Sequence, residues 1–109
     1  MEETKLISYI VTDFISKSDM RVAEISWQEI INKYSEKFKK AGALRQTISR
    51  IWDKDNVYRL GHLWEYKDDS SFKECQKIFK LAEKEFIKET GIVWKISSNR
   101  GIIISETKF

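Results

Sequence analysis

Proline is absent from this chain, glycine occurs four times, and cysteine and histidine occur once each. Without proline and with little glycine there is scant room for long irregular linkers. The 109 residues therefore read as one domain, residues 1–109, long enough to bury roughly 60–70% of the unfolded surface. The single cysteine, Cys75, excludes an internal disulfide and fits a reducing, cytoplasmic setting. One histidine and one cysteine cannot assemble the usual zinc ligand set. No glycine-rich phosphate loop or dinucleotide fingerprint is present, so no cofactor is expected. The apolar runs fall far short of the ~20 residues a membrane helix needs. The start, Met1-Glu2-Glu3-Thr4-Lys5, lacks the basic-then-apolar layout of a secretion signal. No membrane partner is expected.

Charge of one sign is also scarce: 20 Lys and Arg stand against 17 Asp and Glu, a net charge of +3. A nucleic-acid binder clusters such an excess on one face. Here lysines are interleaved with acids, although Lys73, Lys77, Lys80, Lys84 and Lys88 form a stripe at helical spacing. That stripe lies opposite its helix's apolar face and reads as a solvated surface. Nucleic acid is not the expected partner.

What is abundant is patterned apolar and aromatic sequence. Residues 5–15 (KLISYIVTDFI) read as a strand apolar on both faces. Met20, Ala23, Trp27, Ile30, Ile31, Tyr34, Phe38 and Ala41 recur at spacings of three and four, one long helix closed by Gly42. Ser18 or Asp19 would cap it; Ser26, with Glu29 three residues on, is a competing start. Residues 44–52 and 57–66 form a hairpin across Asp53-Lys54-Asp55-Asn56. Phe72, Cys75, Phe79, Ala82 and Phe86 mark a second helix over residues 71–90, capped by Ser71 and closed by Gly91. Residues 92–96 begin a last extended segment, interrupted at residues 97–101 before residues 102–105.

The order β-α-β-β-α-β predicts an α+β, ferredoxin-like fold: a four-stranded antiparallel sheet with two helices on one face. Two of its strands are apolar on both sides while the helices cover only one. The uncovered face would be a larger apolar patch than monomers tolerate, which predicts a homodimer. In the hairpin, a four-residue connection sets Trp52 opposite Val57, Ile51 opposite Tyr58 and Arg50 opposite Arg59. Two arginines face to face repel unless an acid or an anion sits between them. A structural role for the pair at the exposed hairpin end, rather than substrate binding, is expected.

His62 is the natural proton carrier if a pocket exists. Trp64 and Tyr66 share its face, and Tyr9 and Asp13 join it if the first strand uses the matching parity. Together they would line a pocket for a small apolar or aromatic ligand; alternatively His62 and the aromatics fill the core. Cys75 lies within an apolar stripe and reads as core.

At His62-Leu63-Trp64-Glu65-Tyr66, running into Lys67-Asp68-Asp69-Ser70-Ser71-Phe72, the chain resembles the dimeric α+β barrel superfamily, and within it the NIPSNAP-like branch. The resemblance implies two sheets facing each other across a dimer. It also implies the kinds of activity found there: cofactor-independent monooxygenases, haem-degrading monooxygenases and isomerases. The haem-degrading type carries an axial histidine on the second helix, and residues 71–90 contain none. Two function classes stay open: a small-molecule-binding dimer with monooxygenase or isomerase-like chemistry, and a non-catalytic binding or interaction module.

Overall fold

The computed structural model describes residues 4–109. Strand β1 (Leu6–Phe14) leads into helices α1 (Lys17–Lys33) and α2 (Ser35–Ala41). Strands β2 (Ala43–Arg50) and β3 (Tyr58–Tyr66), helix α3 (Asp69–Thr90) and strand β4 (Lys95–Ile102) follow. The strands form one antiparallel sheet in the order β2-β3-β1-β4, and the ferredoxin-like expectation holds.

Local chemistry explains each boundary. Helix α1 starts at Ser16, whose hydroxyl accepts the Asp19 amide at 3.0 Å, satisfying one of the free N–H groups of the first turn. The capping residue is therefore neither Ser18, Asp19 nor Ser26. The predicted single helix is two: at Tyr34 the amide is shared between the Ile30 and Ile31 carbonyls, 3.2 Å each, and the apolar stripe continues through Phe38 in α2. Gly42 ends α2 at φ 103°, a conformation cheap only without a Cβ. A Cβ there would also collide with the Ser71 side chain, so this turn and the start of α3 are packed backbone to side chain. Helix α3 is capped by Asp68, not Ser71: the carboxylate accepts both the Ser71 amide and hydroxyl at 2.7 Å. Gly91 closes it at φ 66°, and all five lysines of its stripe are exposed.

Pairing fixes two faces. Toward the helices point Leu6, Ser8, Ile10, Thr12 and Phe14 from β1, and Leu60, His62, Trp64 and Tyr66 from β3. They pack on Met20, Ala23, Trp27, Ile30, Phe38, Cys75, Ala82 and Phe86. Rings connect these elements: Trp27 meets Phe79, Phe86 and Trp94, and Trp64 meets Phe38, Phe79 and Tyr66, with centroids 5.1, 4.8 and 6.2 Å from Phe79, Phe38 and Tyr66. Such pairs add about 0.5–1.5 kcal/mol each beyond the area they bury.

The other face carries no helix among the described residues. Ile7, Tyr9, Val11 and Leu63 run through its middle, flanked by the pairs Asp13–Arg59 at 2.5 Å and Arg45–Glu65 at 3.4 Å. Tyr9 lies over Gly61, where a Cβ would meet its hydroxyl at 2.8 Å and the Ser49 hydroxyl at 3.3 Å.

Two sequence expectations fail here. The hairpin register is one residue off: Arg50 lies opposite Leu60, and the Ile51 amide donates to the Arg59 carbonyl at 3.1 Å. The connection is longer than Asp53–Asn56 alone, and Asn56 turns in it at φ 58°, a position asparagine tolerates. Arg50 and Arg59 thus project from opposite faces, Arg50 to Glu24 of α1 at 2.7 Å and Arg59 to Asp13, so no repulsion arises. The last strand is also not interrupted at residues 97–101; β4 runs unbroken through them, pairing with β1 from Lys95 to Ile102. An edge strand needs partners on one side only and accepts such polar residues.

Candidate functional site

Between sheet and helices, at the β4 edge, lies a cavity of about 60 Å³. Its floor is Ile10 and Thr12 of β1 and His62 of β3; Trp27 of α1, Gln76, Phe79 and Glu83 of α3, and Trp94 wall it. Ile96, Ser98 and Arg100 of β4 complete it, and all three are exposed, which places the mouth between β4 and α3.

Strand parity builds the floor. Ile10 pairs with His62 on one side and with Ser98 on the other, so the three make one row across the sheet. Thr12, two residues along β1, sets its hydroxyl 3.1 Å from His62 Nε2. His62 is 3% exposed, and burial lowers its pKa from 6.5 to about 4. Its ring is therefore neutral at physiological pH, one nitrogen a donor and the other an acceptor.

Two ring contacts define the cavity's ends. Arg100 stands over Phe72 near the start of α3, 5.1 Å from the centroid, while Trp94 stacks on Phe86 further along at 4.4 Å. Gln76 precedes Glu83 along α3 by two turns, so Gln76 lies toward the Arg100 end and Glu83 toward the Trp94 end. Burial raises the Glu83 carboxyl above the ordinary carboxylate range, in keeping with its mostly aromatic surroundings. The Trp27 indole N–H is buried with no protein partner. Five apolar or aromatic walls with a few convergent polar groups are the usual make-up of a small-molecule site.

Of the candidate site residues read from the sequence, only His62 lines this cavity. Trp64 and Tyr66 share its face but are core: Trp64 packs on Phe38 and borders a different, more open groove of about 410 Å³ with Gln46 and Arg45, and Tyr66 packs edge-on against Phe72. Burial raises the Tyr66 hydroxyl well above its usual range. Tyr9 and Asp13 are on the opposite face, opposite Leu63 and Arg59; β1 has the other parity, so they do not meet His62. Cys75 is fully buried, its thiol pushed up to about 11 by burial, which leaves it protonated and unreactive. Thr12, Gln76, Glu83, Ser98 and Arg100 were missed. Gln76 and Glu83 were signalled by their three- and four-residue offsets from Phe79. Ser98 and Arg100 were signalled by sharing parity with Ile96, once β4 is taken as continuous. Among the described residues no cluster of His, Cys, Asp and Glu suited to a metal ion occurs, and no helix is long and apolar enough to cross a membrane.

The fold has solved counterparts. The chain is similar to two dimeric ferredoxin-like proteins from uncultured marine organisms. One is 26% identical, covers 97% of this chain and 100% of its own, and has a TM-score of 0.86; the other is 25% identical, with 96% and 100% covered and a TM-score of 0.80. A candidate antibiotic biosynthesis monooxygenase from Bacillus cereus shares the fold at 10% identity, with 98% of this chain and 100% of that chain covered and a TM-score of 0.59. These likenesses agree with the dimeric α+β barrel class of architecture. No curated protein matches the sequence. The family described as a domain of unknown function, DUF6974, matches residues 3–103, and the chain belongs to that family.

Proposed function

We propose that this protein is a homodimeric small-molecule-binding protein whose ligand site is the His62 cavity. The observation that carries the reading is the convergence of a neutral, buried imidazole, hydrogen-bonded to Thr12, with Trp27, Phe79 and Trp94 in one cavity that has a mouth. A cavity of about 60 Å³ is smaller than the ~150 Å³ that holds benzene. An aromatic ligand therefore enters by displacing the side chains at the mouth, and those are on the exposed β4 edge and on α3.

The chemistry within reach is proton removal. A phenolic O–H, or a C–H acidified by a neighbouring carbonyl, gives its proton to an imidazole nitrogen while the electron pair stays on the ligand. Burial weakens the free ring as a base, and the step is offset because the imidazolium and the ligand anion form as a contact pair, each the other's counter-charge. That step opens either isomerisation or reaction of the anion with dioxygen, and it matches the monooxygenase-like assignment of the Bacillus cereus structure. The free, protonated Cys75 is in keeping with a cytoplasmic location. The His62–Tyr66 segment running into α3 supports a placement near the NIPSNAP-like branch.

Heteronuclear NMR with phenol as probe tests the reading. Shifts are expected at the Trp27 and Trp94 indole N–H resonances and at the His62 ring. In His62→Leu, which keeps the volume and removes the acceptor, phenol should bind about tenfold more weakly, the net worth of one hydrogen bond in a dry site. No shift in the cavity, together with oligonucleotide-induced shifts on the open sheet face, would overturn it in favour of an interaction module. Of the open-face cations Arg45, Arg59 and Lys95, the first two are paired with Glu65 and Asp13 and the third lies opposite Asp13, which weighs against nucleic acid.

A further inference from the structure

Arg100 is unusual among the cavity residues. It is the only cation there, and among the described residues it makes no ion pair; it stands over Phe72, and its charge also acts on the Tyr66 hydroxyl. It stands at one end, beside Gln76, while the opposite end is bounded by Trp94 and Ile96. The guanidinium carbon lies 5.1 Å from the Phe72 centroid, and without a carboxylate of this chain on it the guanidinium fork suits a planar bidentate partner.

We propose that the ligand is an aromatic carboxylate: its ring enters at the mouth against Phe79, Trp94 and Ile96, and its carboxylate is received by Arg100 with Gln76 alongside. This rests on the His62 cavity being the ligand site and names the ligand class and the residue that selects it. Three features favour an acid over a neutral ring. A carboxylate matches the guanidinium fork in two parallel N–H···O bonds. The other cavity carboxyl, Glu83, is at the far end, two turns along α3 from Gln76, and so stands away from an anion entering beside Arg100. Finally, Arg100 is at the exposed mouth, where charge is received without full desolvation and an entering anion is drawn in before it is buried.

Isothermal titration of the intact protein with benzoate, benzamide and inorganic phosphate tests this. Benzoate and benzamide have nearly the same shape and differ in charge at neutral pH. Benzoate is expected to bind at least about tenfold tighter than benzamide, since a charge-assisted pair is stronger than a neutral one. Arg100→Gln, at an exposed edge position, should lower benzoate affinity at least about tenfold and benzamide affinity by less, which erases the preference. Equal binding of the two probes, or a preference that survives Arg100→Gln, overturns the proposal. So does phosphate binding as tightly as benzoate, because a bare anion site would need no aromatic body. If phenol and benzamide bind while benzoate gains nothing, only the acid-selecting role fails; if no aromatic probe binds, the cavity itself is not the site.

Discussion

His62 shows how one side chain ties stability to pH. In the unfolded chain its ring takes up a proton near 6.5, whereas in the fold burial delays this to about 4. Between those values the unfolded state holds more protons, so the fold loses stability as pH falls through the window and retains it fully above 6.5. The loss contributed by this one residue approaches roughly 3 kcal/mol by pH 4. Urea melts at pH 7 and pH 4.5 should therefore show a steeper acid loss in the native protein than in His62→Gln; equal losses would mean that His62 is hydrated in solution. A lone histidine on a strand was legible as a candidate. Its Thr12 partner was not, because threonine is common in strands and only the observed register brings that hydroxyl to the ring. Tyr9 and Asp13 were placed wrongly for a related reason: with apolar residues on both faces of residues 5–15, composition does not say which parity turns inward.

At the scale of elements, the hairpin turns on one residue. A strand's side chains alternate, so a register change from 109 to 110 in the sum of paired numbers moves Arg50 and Arg59 to opposite faces. Arg50 then ties the hairpin to α1 through Glu24, with two bonds of 2.7 and 2.9 Å, and Arg59 ties β3 to β1 through Asp13 on the open face. Arg59→Gln should weaken self-association measured by sedimentation, whereas Arg50→Gln should leave it unchanged and instead speed amide exchange near the start of β3. Equal effects of the two on association would contradict the face assignment. Helix ends were legible where chemistry is strict, as at Gly42 and Gly91. They were less so where several acceptors compete, as at Ser16 and Asp68, each beside other residues able to cap. The division at Tyr34 has no breaker residue to announce it.

For the whole molecule, the central question is what covers the second face of the sheet. Ile7, Tyr9, Val11 and Leu63 form its apolar middle, flanked by the Asp13–Arg59 and Arg45–Glu65 pairs. Burying such a strip is worth about 25 cal/mol per Å² removed from water, and an identical partner offers the matching strip by two-fold symmetry. Sedimentation equilibrium at micromolar concentration should give the mass of two chains. Val11→Glu, at the centre of that strip, should give one chain with unchanged helical circular dichroism; a native monomer would refute the dimer. The element order and the need for a second cover were legible because they follow from periodicity and area. The cavity was not, because it depends on an edge strand whose polar residues, Ser97, Ser98 and Asn99, look like a break until backbone pairing is considered.

The contact between Tyr9 and Gly61 has an evolutionary consequence. Position 61 has room for a methyl group only if the ring at position 9 withdraws, since the Tyr9 hydroxyl already occupies that space. The two sites therefore share one volume and do not drift independently: a lineage that gains a side chain at 61 needs the exposed phenol at 9 to swing aside, shorten or be lost. Among relatives, glycine at 61 and a large ring at 9 should be inherited together, and their joint exchange should leave the sheet's pairing intact.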